Sequence, residues 1–133
     1  MKRFRFRRAA IAAASVGLLA STLAFAGQLS GQHVVIFDPN HLANGDLGYV
    51  HNSSDRVEYI GCQLGGGFGY CYAMNSDGIS RTCFTVDPAT IRAIRSLKSD
   101  SYLVFVWDDS GTCTNVYVDN GSITEPKKLG MIP

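Results

Sequence analysis

After residue 56 the chain alternates apolar and polar positions with a period close to two, and short clusters of turn residues interrupt the alternation. Val57 to Leu64, Phe68 to Met74 and Ile79 to Val86 read as strands, joined by Gly65-Gly66-Gly67 and by Ser76-Asp77-Gly78 into a three-stranded meander. The period then changes. Asp87 is a favoured N-cap and Pro88 suits a first turn, while Ile91, Ile94 and Leu97 supply a helical apolar stripe beside Arg92, Arg95 and Lys98. Tyr102 to Trp107 is apolar on both faces, the mark of a central strand covered on both sides. It pairs with Cys113 to Val118 around Asp108-Asp109-Ser110-Gly111 in a C-terminal hairpin. Upstream, His33 to Phe37 is a short strand. Residues 38–56 read as a loop, because Asp38-Pro39-Asn40, Asn44-Gly45-Asp46 and Asn52-Ser53-Ser54-Asp55 are all turn clusters. The prediction is a β-rich α+β domain with a meander, one helix and a hairpin, and a polar tail from about residue 121 held loosely. Segment 27–56 is the only sizeable piece left to cover a second sheet face.

The first 26 residues follow a different rule. Lys2, Arg3, Arg5, Arg7 and Arg8 precede an apolar run from Ala9 to Leu23, and Ala24-Phe25-Ala26 is a small-x-small cleavage site. That order is the layout of a signal peptide, which would leave residues 27–133 as one small domain outside the cytoplasm, periplasmic or extracellular. Cleavage removes five bases and turns a formal charge of +1 into −4. The acids are also uneven: Asp38, Asp46, Asp55, Glu58 and Asp77 face a single base, Arg56, between residues 27 and 80. An acidic chain without a basic block argues against nucleic acid and anionic lipid as partners, and no membrane association is expected once the signal is gone. With 46% hydrophobic and 17% charged residues, the chain is too apolar for a disordered segment.

Export changes the reading of the four cysteines, Cys62, Cys71, Cys83 and Cys113. In an oxidising compartment they predict two disulfides, and their spacing lacks the Cys-x-x-Cys pairs of a zinc site. Closing the Ser76–Gly78 loop on Asn75 and Ile79 sets Cys71 opposite Cys83, and pairing across the glycine turn sets Cys62 opposite Cys71. Cys62 and Cys83 are then two strands apart, roughly 9.6 Å, beyond bridging distance. Two connectivities remain, 62–71 with 83–113 and 71–83 with 62–113. Loop-closure entropy does not separate them, and the first is preferred.

Candidate chemistry is sparse. In this register Tyr59, Phe68, Tyr70, Tyr72, Met74 and Phe84 share one meander face, and Gly69, Cys71 and Ala73 on the other leave room for a helix to approach. The aromatic row is either a platform for sugar rings or a protein partner, or a second core layer beneath segment 27–56. Tyr59, Tyr70, Tyr72 and Phe84 are the candidate ligand-binding residues, with loop 38–55 at their edge. His33, His41 and His51 alternate with Asp38, Asp46 and Asp55, but their spacing fits no metal motif, and they read as surface loop polars. Asp38-Pro39-Asn40 starts like a calcium loop that Leu42 and Ala43 then break. No nucleophile motif or phosphate loop occurs, Asp108 and Asp109 are turn caps, and the basic helix edge reads as a solvated face. No catalytic residue, metal or cofactor is assigned.

Ile60-Gly61-Cys62, Cys71-Tyr72-Ala73, Cys83 before Asp87-Pro88, Ser101-Tyr102, Gly111-Thr112-Cys113 and Pro126-Lys127 together resemble small exported bacterial four-cysteine proteins of uncharacterised function, over residues 57–128. The resemblance implies bacterial export and disulfide pairing and brings no activity with it. The functional expectation is a non-enzymatic binding domain of the cell envelope or extracellular space. The alternatives are an inhibitor of an extracellular hydrolase, presenting the loop at Gly65–Gly67 or Asp108–Thr112, and a small hydrolase using the loop histidines.

Overall fold

The computed structural model describes residues 30–128, so the expected signal peptide at 1–26 lies outside the described residues. In chain order the elements are β1 (Val35–Phe37), a 3-10 turn (Asp38–Asn40), β2 (Leu42–Asp46), α1 (Leu47–Asn52), β3 (Tyr59–Gly65), β4 (Phe68–Met74), β5 (Ser80–Thr85), α2 (Pro88–Arg95), β6 (Tyr102–Trp107) and β7 (Cys113–Asp119). They form two antiparallel sheets, β1-β2-β6-β7 and β3-β4-β5. Among the described residues no helix is long and apolar enough to cross a membrane.

The meander forms as the turn chemistry demands. Gly66 and Gly67 both take positive φ (55° and 88°), the backbone of a two-residue hairpin loop whose twist matches the strands. At the second turn Asn75 N–H donates to the Ile79 carbonyl (3.0 Å), Gly78 N–H donates to the Asn75 carbonyl (2.9 Å), and Gly78 has φ 77°. The hairpin between β6 and β7 repeats this design, with Gly111 at φ 79° and its N–H donating to the Asp108 carbonyl (2.9 Å). In α2 the Asp87 carboxylate accepts from Thr90 N–H (2.7 Å) and Thr90 Oγ1 (2.8 Å), satisfying a free helix-end donor.

The expected loop at 38–56 is overturned. It contains a strand and a helix, and β2 lies inside the larger sheet, paired along its whole length with β6 from Leu42↔Val106 to Asp46↔Tyr102. Asn44-Gly45-Asp46 has strong turn propensity, yet tertiary context wins. Ala43 is fully buried, and a Cβ on Gly45 would stand 3.4 Å from both Ile60 Cγ2 and the Val34 Cα, so small residues are needed where the two layers meet. The C-terminal hairpin is therefore half of a four-stranded sheet, and segment 30–56 extends that sheet instead of covering the meander.

The core joins both sheets. Leu103, Phe105 and Trp107 of β6, Val116 of β7, Ile60, Cys71, Ala73 and Cys83 of the meander and Ile94 of α2 are buried in one cluster. The opposite side of β6 was expected to be covered as well, but Tyr102, Val104 and Val106 are only half-buried there. Cys62 bonds Cys71 within the meander, and Cys83 bonds Cys113 from β5 to β7, tying one sheet to the other. Of the two connectivities left open, this is the preferred one. The segment 121–128, expected to be loosely held, is tied back: Ser30 N–H donates to the Ile123 carbonyl (2.7 Å), and the Asn52 side chain bonds Glu125, Pro126 and Lys128.

Candidate functional site

The strand register builds the aromatic face row by row. Tyr59, Met74 and Ser80 stand side by side, then Gly61, Tyr72 and Thr82, then Gln63, Tyr70 and Phe84, then Gly65 and Phe68. All four candidate ligand-binding residues, Tyr59, Tyr70, Tyr72 and Phe84, thus lie on one surface. Ring centroids are 5.9 Å apart for Tyr59–Tyr72, 5.8 Å for Tyr70–Tyr72 and 5.3 Å for Phe68–Phe84, within the range of direct aromatic packing. Gly61 has a specific part: a Cβ there would meet Tyr72 Oη at 3.1 Å and Cζ at 3.3 Å, so its missing side chain lets the Tyr72 ring lie close over the strand. Among the described residues the face stands open. Tyr59, Phe68 and Phe84 are 42%, 40% and 46% exposed, with Tyr70 and Tyr72 half-buried between them. No Asp, Glu, Lys or Arg occurs in any of these rows.

On the opposite face of the meander a Cβ on Gly69 would come 2.6 Å from Ile94 Cδ1, so α2 packs where Gly69, Cys71 and Ala73 leave space. The aromatic side chains are thereby directed outward from a braced sheet. Arg92 and Arg95 are exposed on α2 beyond the buried Ile94.

The loop histidines do not assemble. His33 Nδ1 lies 2.6 Å from Glu58 Oε2, and its Nε2 lies 3.3 Å from Tyr49 Oη. His41 stacks on Trp107 (5.9 Å between centroids, 13° between planes) with Nε2 3.6 Å from Asp109. His51 is exposed at the end of α1. Two of the acids that alternate with them in sequence are engaged elsewhere: Asp38 is gripped by Arg81 through Nε (2.7 Å) and Nη2 (2.5 Å), and Asp55 accepts from Val57 and Glu58 N–H. Asp108 does cap its hairpin, accepting from the N–H groups of Ser110 and Thr112 and from Ser110 Oγ, and these bonds hold its carboxyl below the usual range. Asp109 projects into solvent, with its side chain 98% exposed.

Asp46 is a second departure from the surface-loop reading. It is 2% exposed, and burial raises its carboxyl above the usual range although the N–H groups of Glu125, Tyr49 and Gly48 act against the rise. The pairing of buried Glu58 with the exposed His33 was also unforeseen. Asp46 sits in a stretch whose polarity reads as loop until its partner strand is known. Comparison with protein-family models, with curated proteins and with solved structures found no match to this chain.

Proposed function

We propose that this protein is an exported, non-enzymatic binding domain whose aromatic meander face stacks on neutral glycans of the cell envelope or the extracellular space. The observation that carries the reading is the composition of that face: aromatic rings in contact, flanked by Gln63, Ser80 and Thr82, with no charged side chain in its rows. Apolar ring faces beside hydroxyl and amide groups complement a sugar, which offers C–H faces bordered by hydroxyls. The same face has little to offer a phosphate backbone, which needs lysine or arginine. Export is supported by the basic, apolar and small-residue order of the first 26 residues and by two disulfides in the fold.

The test is a pulldown on insoluble cell-wall polysaccharide with a glycan array in parallel, comparing the oxidised protein with Tyr70→Ala/Tyr72→Ala. Retention is expected to fall at least tenfold in the double variant, with near-ultraviolet circular dichroism of the core Trp107 unchanged. Equal retention by a folded double variant would exclude the face.

A further inference from the structure

The rings of the meander face run in a line. Tyr72, Tyr70 and Phe68 alternate along the central strand β4, and Tyr59 of β3 continues the line one row further. From the Tyr59 row, which contains Met74, to the Phe68 row is six residue steps along β4, a length of roughly 20 Å. Tyr59, Tyr72 and Tyr70 follow one another at centroid steps of 5.9 and 5.8 Å. Polar side chains stand on both sides of the line: Gln63 of β3 beside Tyr70, and Ser80 and Thr82 of β5 beside Met74 and Tyr72. The rings are not coplanar. Tyr59 and Tyr72 are inclined to each other at 58°, Tyr72 and Tyr70 at 35°, and Phe68 and Phe84 at 28°. Strand twist turns successive rows relative to one another.

We propose, on the basis of the glycan reading above, that this line holds one separate, extended chain of a neutral β-linked polysaccharide, and not the flat face of a crystalline one. A pyranose is a six-membered ring of nearly the size of a phenyl ring, so linked sugars advance by a step comparable with the ring spacing. The line then has room for roughly three or four of them. Where hydroxyls and glycosidic bonds are equatorial, the faces of each sugar present C–H groups and its hydroxyls project sideways. The faces meet the aromatic rings while the hydroxyls meet Gln63, Ser80 and Thr82. A β-1,4 linkage keeps such a chain straight, whereas an α-1,4 linkage coils it away from a straight line of rings. No lysine or arginine occurs in the rows to pair an acidic sugar, so charge selects a neutral chain. The inclinations exclude a flat surface. Rings at 35° and 58° to one another cannot all lie flush against one plane, but a separate chain turns about its glycosidic bonds to follow them.

The experiment is calorimetric titration of the oxidised protein with β-1,4-linked oligomers of glucose and of N-acetylglucosamine, from disaccharide to hexasaccharide. The α-1,4-linked glucose oligomers of the same lengths are the comparison, and retention on amorphous and crystalline cellulose and chitin is measured alongside. Affinity for at least one β-linked series is expected to rise at least tenfold from disaccharide to tetrasaccharide and then level off, because each further sugar engages as part of a chain already held. The α-linked tetrasaccharide is expected to bind at least tenfold more weakly. Per unit of accessible surface, the amorphous polymer is expected to retain the protein at least tenfold better than the crystalline form. Phe68→Ala, an exposed side chain at the far end of the line, is expected to lose most of the gain with length and keep the disaccharide affinity. Affinity independent of length, equal binding of α- and β-linked chains, an undiminished gain in Phe68→Ala, or stronger retention on the crystalline polymer would each overturn this proposal and leave the glycan reading standing. So would absent binding of every β-linked oligomer alongside a different glycan bound on the array. Binding undiminished in a folded Tyr70→Ala/Tyr72→Ala variant would overturn both.

Discussion

At the scale of single residues, the carboxylates divide into two groups with opposite pH behaviour. Asp87 and Asp108 accept backbone and hydroxyl hydrogen bonds in the folded state, which lower their carboxyls; Thr90 is the main cause at Asp87 and Ser110 at Asp108. Their stabilising contribution is fully present above the unfolded carboxyl value, near 3.9, and is lost as pH falls through the lower folded values. Asp46 works the other way. Burial favours its protonated form, so the folded chain holds that proton more tightly than the unfolded one, and stability falls as pH rises through its raised folded value. Urea unfolding from pH 3 to 7 checks both signs. Relative to wild type, Asp46→Asn is predicted to gain stability progressively as pH increases, whereas Asp87→Ala is predicted to lose it. Gly69 tests packing in the same way. Its added Cβ would meet Ile94 of α2 at 2.6 Å, so Gly69→Ala is predicted to destabilise by about 1–3 kcal/mol, read as a lower urea midpoint. Gly61→Val is predicted to lift the Tyr72 ring and weaken glycan retention without deleting an aromatic side chain.

At the scale of elements, β3, β4, β5, α2, β6 and β7 were legible because each carries its own signal: period-two alternation, a glycine at a positive-φ turn position, or an Asp-Pro helix start. Even the facing of Cys62, Cys71 and Cys83 followed from two turns, since one turn length sets the register of a whole hairpin. β2 was illegible for the converse reason. Leu42-Ala43-Asn44-Gly45-Asp46 has no alternation of its own, and its pairing comes from β6, about sixty residues away. The buried Asp46 was lost with it. The cysteine row makes a prediction at this scale. The sulfurs of Cys71, Cys83 and Cys113 lie within 4.8 Å of one another, so a free Cys71 thiolate has a disulfide in reach. In Cys62→Ser, Cys71 is predicted to exchange with the remaining bridge, giving both 83–113 and 71–83 linkages by peptide mapping at pH 8. A single 83–113 linkage would contradict the placement of Cys71.

At the scale of the whole molecule, two thin sheets and two short helices enclose a single core, and the Cys83–Cys113 bridge is a covalent link between the layers. Small domains of this kind depend on such staples, and losing a native disulfide typically costs about 2–5 kcal/mol. Reduction is therefore predicted to unfold the protein at 37 °C, with glycan retention lost alongside the near-ultraviolet signal of Trp107. The bracing also explains how an aromatic face can remain open: α2 and the larger sheet hold the inner side of the meander, so the outer rings are positioned without a covering layer of their own. The central claim is that these rings meet a ligand. Nuclear magnetic resonance of ring-labelled tyrosines, titrated with soluble neutral cell-wall oligosaccharides, tests it most directly. The account predicts saturable shifts at Tyr59, Tyr70 and Tyr72 with Tyr102 unmoved; shifts confined to other tyrosines, or none at saturating glycan, would contradict it.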